Sequence, residues 1–312
     1  MPGKMSHSRY LAPPLADQST APHKMTLPKL KSVQCLSPAG FHNVAYKEWG
    51  DPANPKVLVC VHGLTRVSDD FDALARNLCD TYRVICPDIV GRGRSDWLRD
   101  PRFYIVPQYV SDMVTLLARL EAETLHWFGT SMGGLIGMGL ASLPGNPVRK
   151  LLLNDVGPVL NPAALARIGD YLGRPIRFAT FDEAAQYVMA ISITFGPHTD
   201  DEWRKFAADV LRQDKDGQWI LHYDAAMATP FKAVTPESGQ RDAAILAAAY
   251  DAITCETLVV RGAESDLLTR DVALSMTERG PRATLIELPG VGHAPTFVHD
   301  DQIAIARRFF AG

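Results

Sequence analysis

Cysteine is scarce and unpatterned in this chain. The five residues, Cys35, Cys60, Cys79, Cys86 and Cys255, are odd in number and include no C-x-x-C pair. Cys60 and Cys86 lie in apolar runs, so they read as small buried thiols of a reducing, cytoplasmic protein rather than as disulfide partners or metal ligands. An excess of one charge is also missing. The formal net charge is −3, with no long basic run, which leaves nucleic-acid binding without electrostatic support. No apolar stretch approaches the roughly 20 residues that cross a bilayer, so no membrane partner is expected. There is no G-x-x-x-x-G-K-[ST] phosphate loop. The Gly-rich segment "CPDIVGRGRSDW" (86–97) has Asp96, not a third glycine, after Gly91 and Gly93, so it is no dinucleotide fingerprint. It reads as a structural turn that shapes one wall of a crevice. No His/Cys/Asp cluster has metal-ligand spacing. The opening "MPGKMSHSRYLAPPLADQSTAPHKM" carries four prolines and lacks the apolar core of a signal peptide. Residues 1–28 are expected to be a disordered tail.

What is present is ordinary globular composition: 312 residues, 46% hydrophobic and 21% charged. That length suffices for one large core or a core plus a lid. Strand-like and helix-like segments alternate. "LKSVQCLSP" and "HNVAYKEWG" read as paired strands. "KVLVCVHG" is a continuous apolar run, suited to a strand buried on both faces. "YRVICPD", "TLHWFGT", "KLLLNDVG", "TLVVRG" and "ATLIELPG" follow as further strands, with helical periodicity between them. The class is α/β with a mostly parallel sheet. Almost a hundred residues separate Pro158 from Thr254, where a crossover needs about a dozen. Residues 161–239 are therefore expected to form a helical cap inserted into a sheet domain of residues 29–160 and 240–312. Its Phe195, Trp203, Met227 and Phe231 are candidates for lining a substrate pocket.

One junction carries chemistry. In "LHWFGTSMGGLIGMGLA" a strand passes straight into a helix through Gly129-Thr130-Ser131-Met132-Gly133. Glycines two residues either side of Ser131 remove side chains that would collide in so tight a turn. The serine is then held at the strand's C-terminal end, and the Met132 amide on the first helical turn is left to donate to an anion. A serine nucleophile needs a base, an orienting carboxylate and oxyanion donors. His293, in "LIELPGVGHAPTF", lies in a loop after the last strand. His62 also ends a strand, but reads as a ring packed under its loop. Asp266, in "TLVVRGAESDLLTRD", is the chosen acid, with Glu264 a local alternative and Asp155, after "LLLN", a more distant one. The second oxyanion amide is assigned to Leu64 in "HGLTR", where Gly63 permits close approach.

These pieces together resemble the α/β-hydrolase superfamily, in its capped, serine-esterase-like branch. "VHGL", "PDIVGRGRSD", "GTSMGG", "GAESD" and "GVGHAP" occur in the family's order, from about Leu30 to the end. The resemblance implies a mostly parallel eight-stranded sheet flanked by helices, with an inserted cap. It implies Ser131 as nucleophile, Asp266 as acid, His293 as base, and Leu64 and Met132 as oxyanion donors. No metal or organic cofactor is then required, and the partner is a small-molecule ester. Serine at 131 argues against the relatives that use an aspartate nucleophile. The loop lacks the His-Gly-Gly-Gly run tied to bulky tertiary-alcohol esters. The expected activity is hydrolysis of small to medium carboxylic esters through an acyl-enzyme. A C–C bond hydrolase or lactonase is the alternative, and a non-catalytic ligand receptor the alternative of another class.

Overall fold

The computed structural model describes residues 27–311. Most of the expected tail, residues 1–26, lies outside the described residues. Two antiparallel strands, β1 (Lys29–Ser37) and β2 (Gly40–Trp49), open the chain as a hairpin. Then come β3 (Lys56–Val61), α1 (Asp72–Leu78), β4 (Arg83–Pro87), α2 (Val106–Leu117), β5 (Thr124–Thr130), α3 (Met132–Ala141) and β6 (Val148–Asn154). A long segment follows, holding α4 (Pro162–Tyr171), α5 (Phe181–Ile191), α6 (Asp200–Val210), the small hairpin of β7 (Leu211–Gln213) and β8 (Trp219–Leu221), α7 (Ala228–Lys232) and α8 (Pro236–Asp251). The chain closes with β9 (Glu256–Gly262), α9 (Arg270–Ser275), β10 (Thr284–Leu288) and α10 (Asp300–Ala311). The eight-stranded sheet runs β1-β2-β4-β3-β5-β6-β9-β10. Within this sheet only the β1–β2 and β2–β4 pairings are antiparallel.

The apolar run of β3 explains its central place. Successive side chains point to opposite faces of a strand. Val57, Val59 and Val61 enter the core on one face, with Trp127, Met113 and Ile136, while Leu58 and Cys60 enter the other, with Phe128, Leu74 and Phe310. A strand buried on both faces cannot alternate with polar residues, and this one does not. Parallel order also brings the C-terminal ends of β3, β5, β6, β9 and β10 to one edge, where ligands bind in sheets of this kind.

The segment between β6 and β9 has local reasons for its helices. Thr180 and Thr199 each form a capping box, with Glu183 and Glu202. Asn161 caps α4, with Pro162 in its first turn. α5 and α6, with Leu211 of β7, build a small core of their own from Ala184, Val188, Ala207 and Val210, into which Val67 of the sheet domain docks. The division expected at 239/240 falls inside α8, which starts at Pro236 behind a Thr235 cap and packs on α3. Among the described residues no helix is long and apolar enough to cross a membrane.

Candidate active site

The turn from β5 into α3 is as tight as its glycines suggest. Ser131 has φ 51° and ψ −114°, a conformation that a non-glycine residue adopts only when the surroundings impose it. A Cβ at Gly133 would collide with the Val61 carbonyl, and one at Gly129 with the Gly133 carbonyl. Glycine is therefore required for β5, α3 and β3 to approach this closely. The Ser131 amide is held by the Asn154 carbonyl at 2.9 Å.

The His293 Nε2 lies 3.0 Å from the Ser131 hydroxyl, placed to accept its proton. The ring's Nδ1 donates to an Asp155 carboxylate oxygen at 2.7 Å. The loop bearing His293 is tied from two sides. Asn154 donates to the Pro295 carbonyl at 2.8 Å, and Thr194 donates to the His293 carbonyl at 2.6 Å. Asp155 is fully buried, yet its oxygens are well used: they also accept from the Gly262 amide at 2.9 Å and the Ser265 hydroxyl at 2.5 Å. Three donors on one buried carboxylate are what keeps such a charge tolerable out of water.

Asp155, not Asp266, is thus the carboxylate that meets the histidine. Asp266, expected as the acid, does not reach His293, and the reason is geometric. After β9 it is Ser265 that turns inward. The Asp266 side chain is 42% exposed and forms a two-pronged ion pair with Arg167 of α4, at 2.9 and 3.0 Å. Asp155 sits at φ 56° directly after β6, which swings its side chain toward the neighbouring end of β9. The signal for it, an aspartate just past a buried strand end, was present in the sequence. It could not be ranked above a rival with the same signal one strand on.

The amides of Leu64 and Met132 donate to no protein acceptor among the described residues. Both border the serine. Met132 opens α3, where the helix dipole favours negative charge. A Cβ built on Gly63 would lie 3.8 Å from the Ser131 Cβ. Arg92 connects the two. It is fully buried, donates to the Leu64 carbonyl at 2.9 Å and contacts the Met132 sulfur at 3.3 Å. It also donates to the Val90 carbonyl and the Tyr109 hydroxyl. No residue of the Gly-rich segment borders the cavity that opens at Ser131, contrary to the expectation that it shapes a wall; it supplies instead the guanidinium that holds the Leu64 loop and the start of α3. His62 is a packed ring as expected: Nδ1 donates to Gly63, Nε2 accepts from the Ile89 amide, and burial lowers its pKa.

The cavity above Ser131 is lined from the long segment by Arg167, Ile168 and Tyr171 of α4, Val188 and Ile191 of α5, Phe206 and Val210 of α6, and Phe195, Leu221 and Tyr223. Of the four residues expected there, only Phe195 reaches it. Trp203 is one layer behind, stacked on Phe195 with ring centroids 6.4 Å apart. Met227 is 3% exposed and belongs to the sheet-domain core. Phe231 packs against that core beside Gly169. Aromatic and sulfur side chains at helical spacing identify a buried face, but not what it is buried against. The lining residues missed, such as Ile168 and Tyr171 or Val188 and Ile191, also stand at helical spacing.

The fold also gathers Cys35, His42 and Asp112, whose potential ligand atoms lie within 4.8 Å of one another. They come from β1, β2 and α2, so spacing along the chain could not reveal them. His42 donates to Asp112 at 3.0 Å, and so does Gln108 at 2.8 Å. Burial, with the charge of Asp112, pushes the Cys35 thiol up to about 12. That favours a protonated thiol in a hydrogen-bonded core cluster, the opposite of a ligand-ready thiolate.

Comparison with known proteins agrees with this architecture. Residues 58–307 match the alpha/beta hydrolase family, and the chain belongs to it. It is 59% identical, over 288 residues, to the 3-hydroxybutyrate-oligomer hydrolase of Cupriavidus necator, an alignment covering 91% of this chain and 98% of that one. Two solved structures are similar as well. An alpha/beta hydrolase from Novosphingobium aromaticivorans is 35% identical with a TM-score of 0.80, covering 92% of this chain and 99% of that one. A hydrolase described as putative, from Rickettsia typhi, is 30% identical with a TM-score of 0.82, covering 91% and 99%.

Proposed function

We propose that this protein hydrolyses short linear oligoesters of 3-hydroxyacids, of the 3-hydroxybutyrate type, with Ser131, His293 and Asp155 as its catalytic residues. It is a carboxylic ester hydrolase. The observation that carries the assignment of roles is the unbroken hydrogen-bonded chain from the Ser131 hydroxyl through His293 to Asp155. The substrate class is supported by the 59% identity to the 3-hydroxybutyrate-oligomer hydrolase and by a largely apolar cavity with polar groups at its walls.

The reaction runs in two halves. His293 takes the Ser131 proton as the oxygen attacks the ester carbonyl. The Leu64 and Met132 amides receive the oxyanion, whose charge they stabilise more strongly than that of the ground-state carbonyl. His293, held by Asp155, protonates the leaving alcohol oxygen. Water, deprotonated by the same imidazole, then attacks the acyl-enzyme and releases the acid. Residues 161–239 serve as a cap that roofs this cavity, and the few, unpatterned cysteines of the sequence support a cytoplasmic setting.

The test is a substrate panel: 3-hydroxybutyrate dimer and trimer, nitrophenyl esters of two to sixteen carbons, long-chain triglyceride, and a vinylogous diketone acid for C–C cleavage. The dimer and trimer should have the highest kcat/KM, with activity on simple esters falling at long chains. Faster cleavage of the diketone acid, or a preference for triglyceride, would overturn the reading.

A further inference from the structure

Two arginines line the cavity, and they are in different states. Arg66 is 8% exposed and committed to the protein. Its Nε and Nη2 grip Asp70, its Nη1 faces the Phe206 carbonyl, and its guanidinium lies over the Phe195 and Phe206 rings. Arg167 is held along one edge only. Nε and Nη2 donate to the two oxygens of Asp266, while Nη1 donates to no protein acceptor among the described residues. A guanidinium gripped along its Nε–Nη2 edge keeps its Nη1–Nη2 end, the fork that matches a carboxylate with two parallel hydrogen bonds. Tyr171 stands four residues on, the spacing that places both side chains on one face of α4, and both line the cavity. Its hydroxyl has no protein partner among the described residues, and burial raises its pKa, so it stays a neutral donor near neutral pH.

We propose that Arg167 and Tyr171 form a subsite for the free carboxylate of the substrate, so that the protein recognises the acid end of a 3-hydroxyacid oligoester. This rests on the hydrolysis reading above and deepens it. A linear oligomer of hydroxyacids has a hydroxyl at one end and a carboxylate at the other. If the carboxylate is held on α4, the unit carrying it is the leaving alcohol, and each turnover releases an acid monomer from that end. Asp266 then acts as the positioning residue for Arg167. Its own negative charge offsets part of the arginine's, so recognition depends on the geometry of the fork more than on net charge.

The experiment is isothermal titration calorimetry on the unreactive Ser131→Ala chain, with the 3-hydroxybutyrate dimer as free acid and as its methyl ester. The acid should bind about tenfold tighter or better, the scale of a charge-assisted hydrogen bond lost with the ester. Adding Arg167→Gln should cut that preference below about threefold, and Tyr171→Phe should lower it partway. The Tyr171→Phe variant changes no packing volume beyond one hydroxyl, so it serves if Arg167→Gln does not fold. An acid preference under about threefold in Ser131→Ala, or one untouched by either substitution, overturns the proposal. Wild-type turnover of both dimers without acid preference would remove the subsite and leave the hydrolysis reading standing. Acid-selective binding without any turnover would retain the subsite and remove the hydrolysis reading.

Discussion

Asp155, beneath the cavity floor that Ser131 and His293 form, is fully buried, while Asp266, behind the wall residue Arg167, has a side chain 42% exposed. The first accepts hydrogen bonds from an imidazole, a hydroxyl and a backbone amide, donors that come from two strand ends of the sheet domain, those of β9 and β10. The second holds one arginine of the inserted segment. A group fixed by several buried partners is pre-organised, and losing it leaves those partners unsatisfied. A half-exposed ion pair is screened by water and is worth little by itself. The floor is therefore built for chemistry at fixed positions. The roof contributes half-buried polar side chains, Arg167 and Tyr171, to the cavity wall, and it suits recognition.

The largest effect should come from the floor. Ser131→Ala should lower kcat on 3-hydroxybutyrate dimer by about four to six orders of magnitude, while a thermal melt stays near wild type. Residual activity within tenfold of wild type, on the order of 1.4 kcal/mol in barrier, would show that Ser131 is not the nucleophile.

The two aspartates can be set directly against each other. Asp155→Asn should cost about 10⁴ in kcat, because the imidazole loses the partner that fixes its tautomer. Asp266→Asn should cost less than about tenfold, and should act on KM for acid substrates by loosening Arg167. If kinetics give the reverse order, the acid is Asp266 after all.

The roof separates in the same manner. Met227→Ala should destabilise the protein by about 2–5 kcal/mol, as truncation of a buried side chain does, with the chain-length profile of ester substrates unchanged. Phe195→Ala should have the opposite signature. Stability changes little and the profile shifts toward longer acyl groups, since each methylene accommodated is worth about 0.8 kcal/mol. Denaturant melts alongside nitrophenyl ester kinetics distinguish the two.

The smallest effect concerns a histidine in the strand that carries the elbow but deeper in the sheet domain. His126 stacks on Phe310 and is 6% exposed. Burial first, then the charge of Lys150, lowers its pKa from 6.5 to about 4. In the unfolded chain the ring takes up a proton near 6.5, while in the folded chain it stays neutral. Its contribution to stability is thus fully present above about pH 6.5 and is lost as pH falls toward about 4, by up to about 3 kcal/mol. His126→Phe should flatten the stability curve across that window, measured by urea unfolding at several pH values. An unchanged slope would show that other groups dominate acid unfolding.

Much of the floor was legible in the chain itself. The elbow needed only the glycines around Ser131, and His293 only its loop after the last strand. The acid was not, because two strand ends each offer a carboxylate and their distances to His293 depend on backbone turns that spacing does not encode. In the roof, Phe195 was legible as a large apolar side chain of the insertion, but so were Trp203, Met227 and Phe231, and only one of the four borders the cavity. Helical periodicity reports burial, and a core, a second layer and a pocket all satisfy it.

The sequence by itself determined the strand order's consequences. Continuous apolar runs place β3, β5, β6 and β9 at the centre of a parallel sheet, their shared edge gathers the loops, and the glycines at 129 and 133 force a serine out at that edge. These follow from local sterics and from the burial of both faces of a strand. Only the tertiary structure decided which carboxylate turns inward and what the other one does. The left-handed turn at Asp155 aims it across to the end of β9, where Gly262 and Ser265 donate to it and His293 completes the set. The chain after Ser265 turns outward, and Asp266 meets an arginine 99 residues away in sequence, a pairing set by where α4 lies against the β9 loop and by nothing in the spacing along the chain.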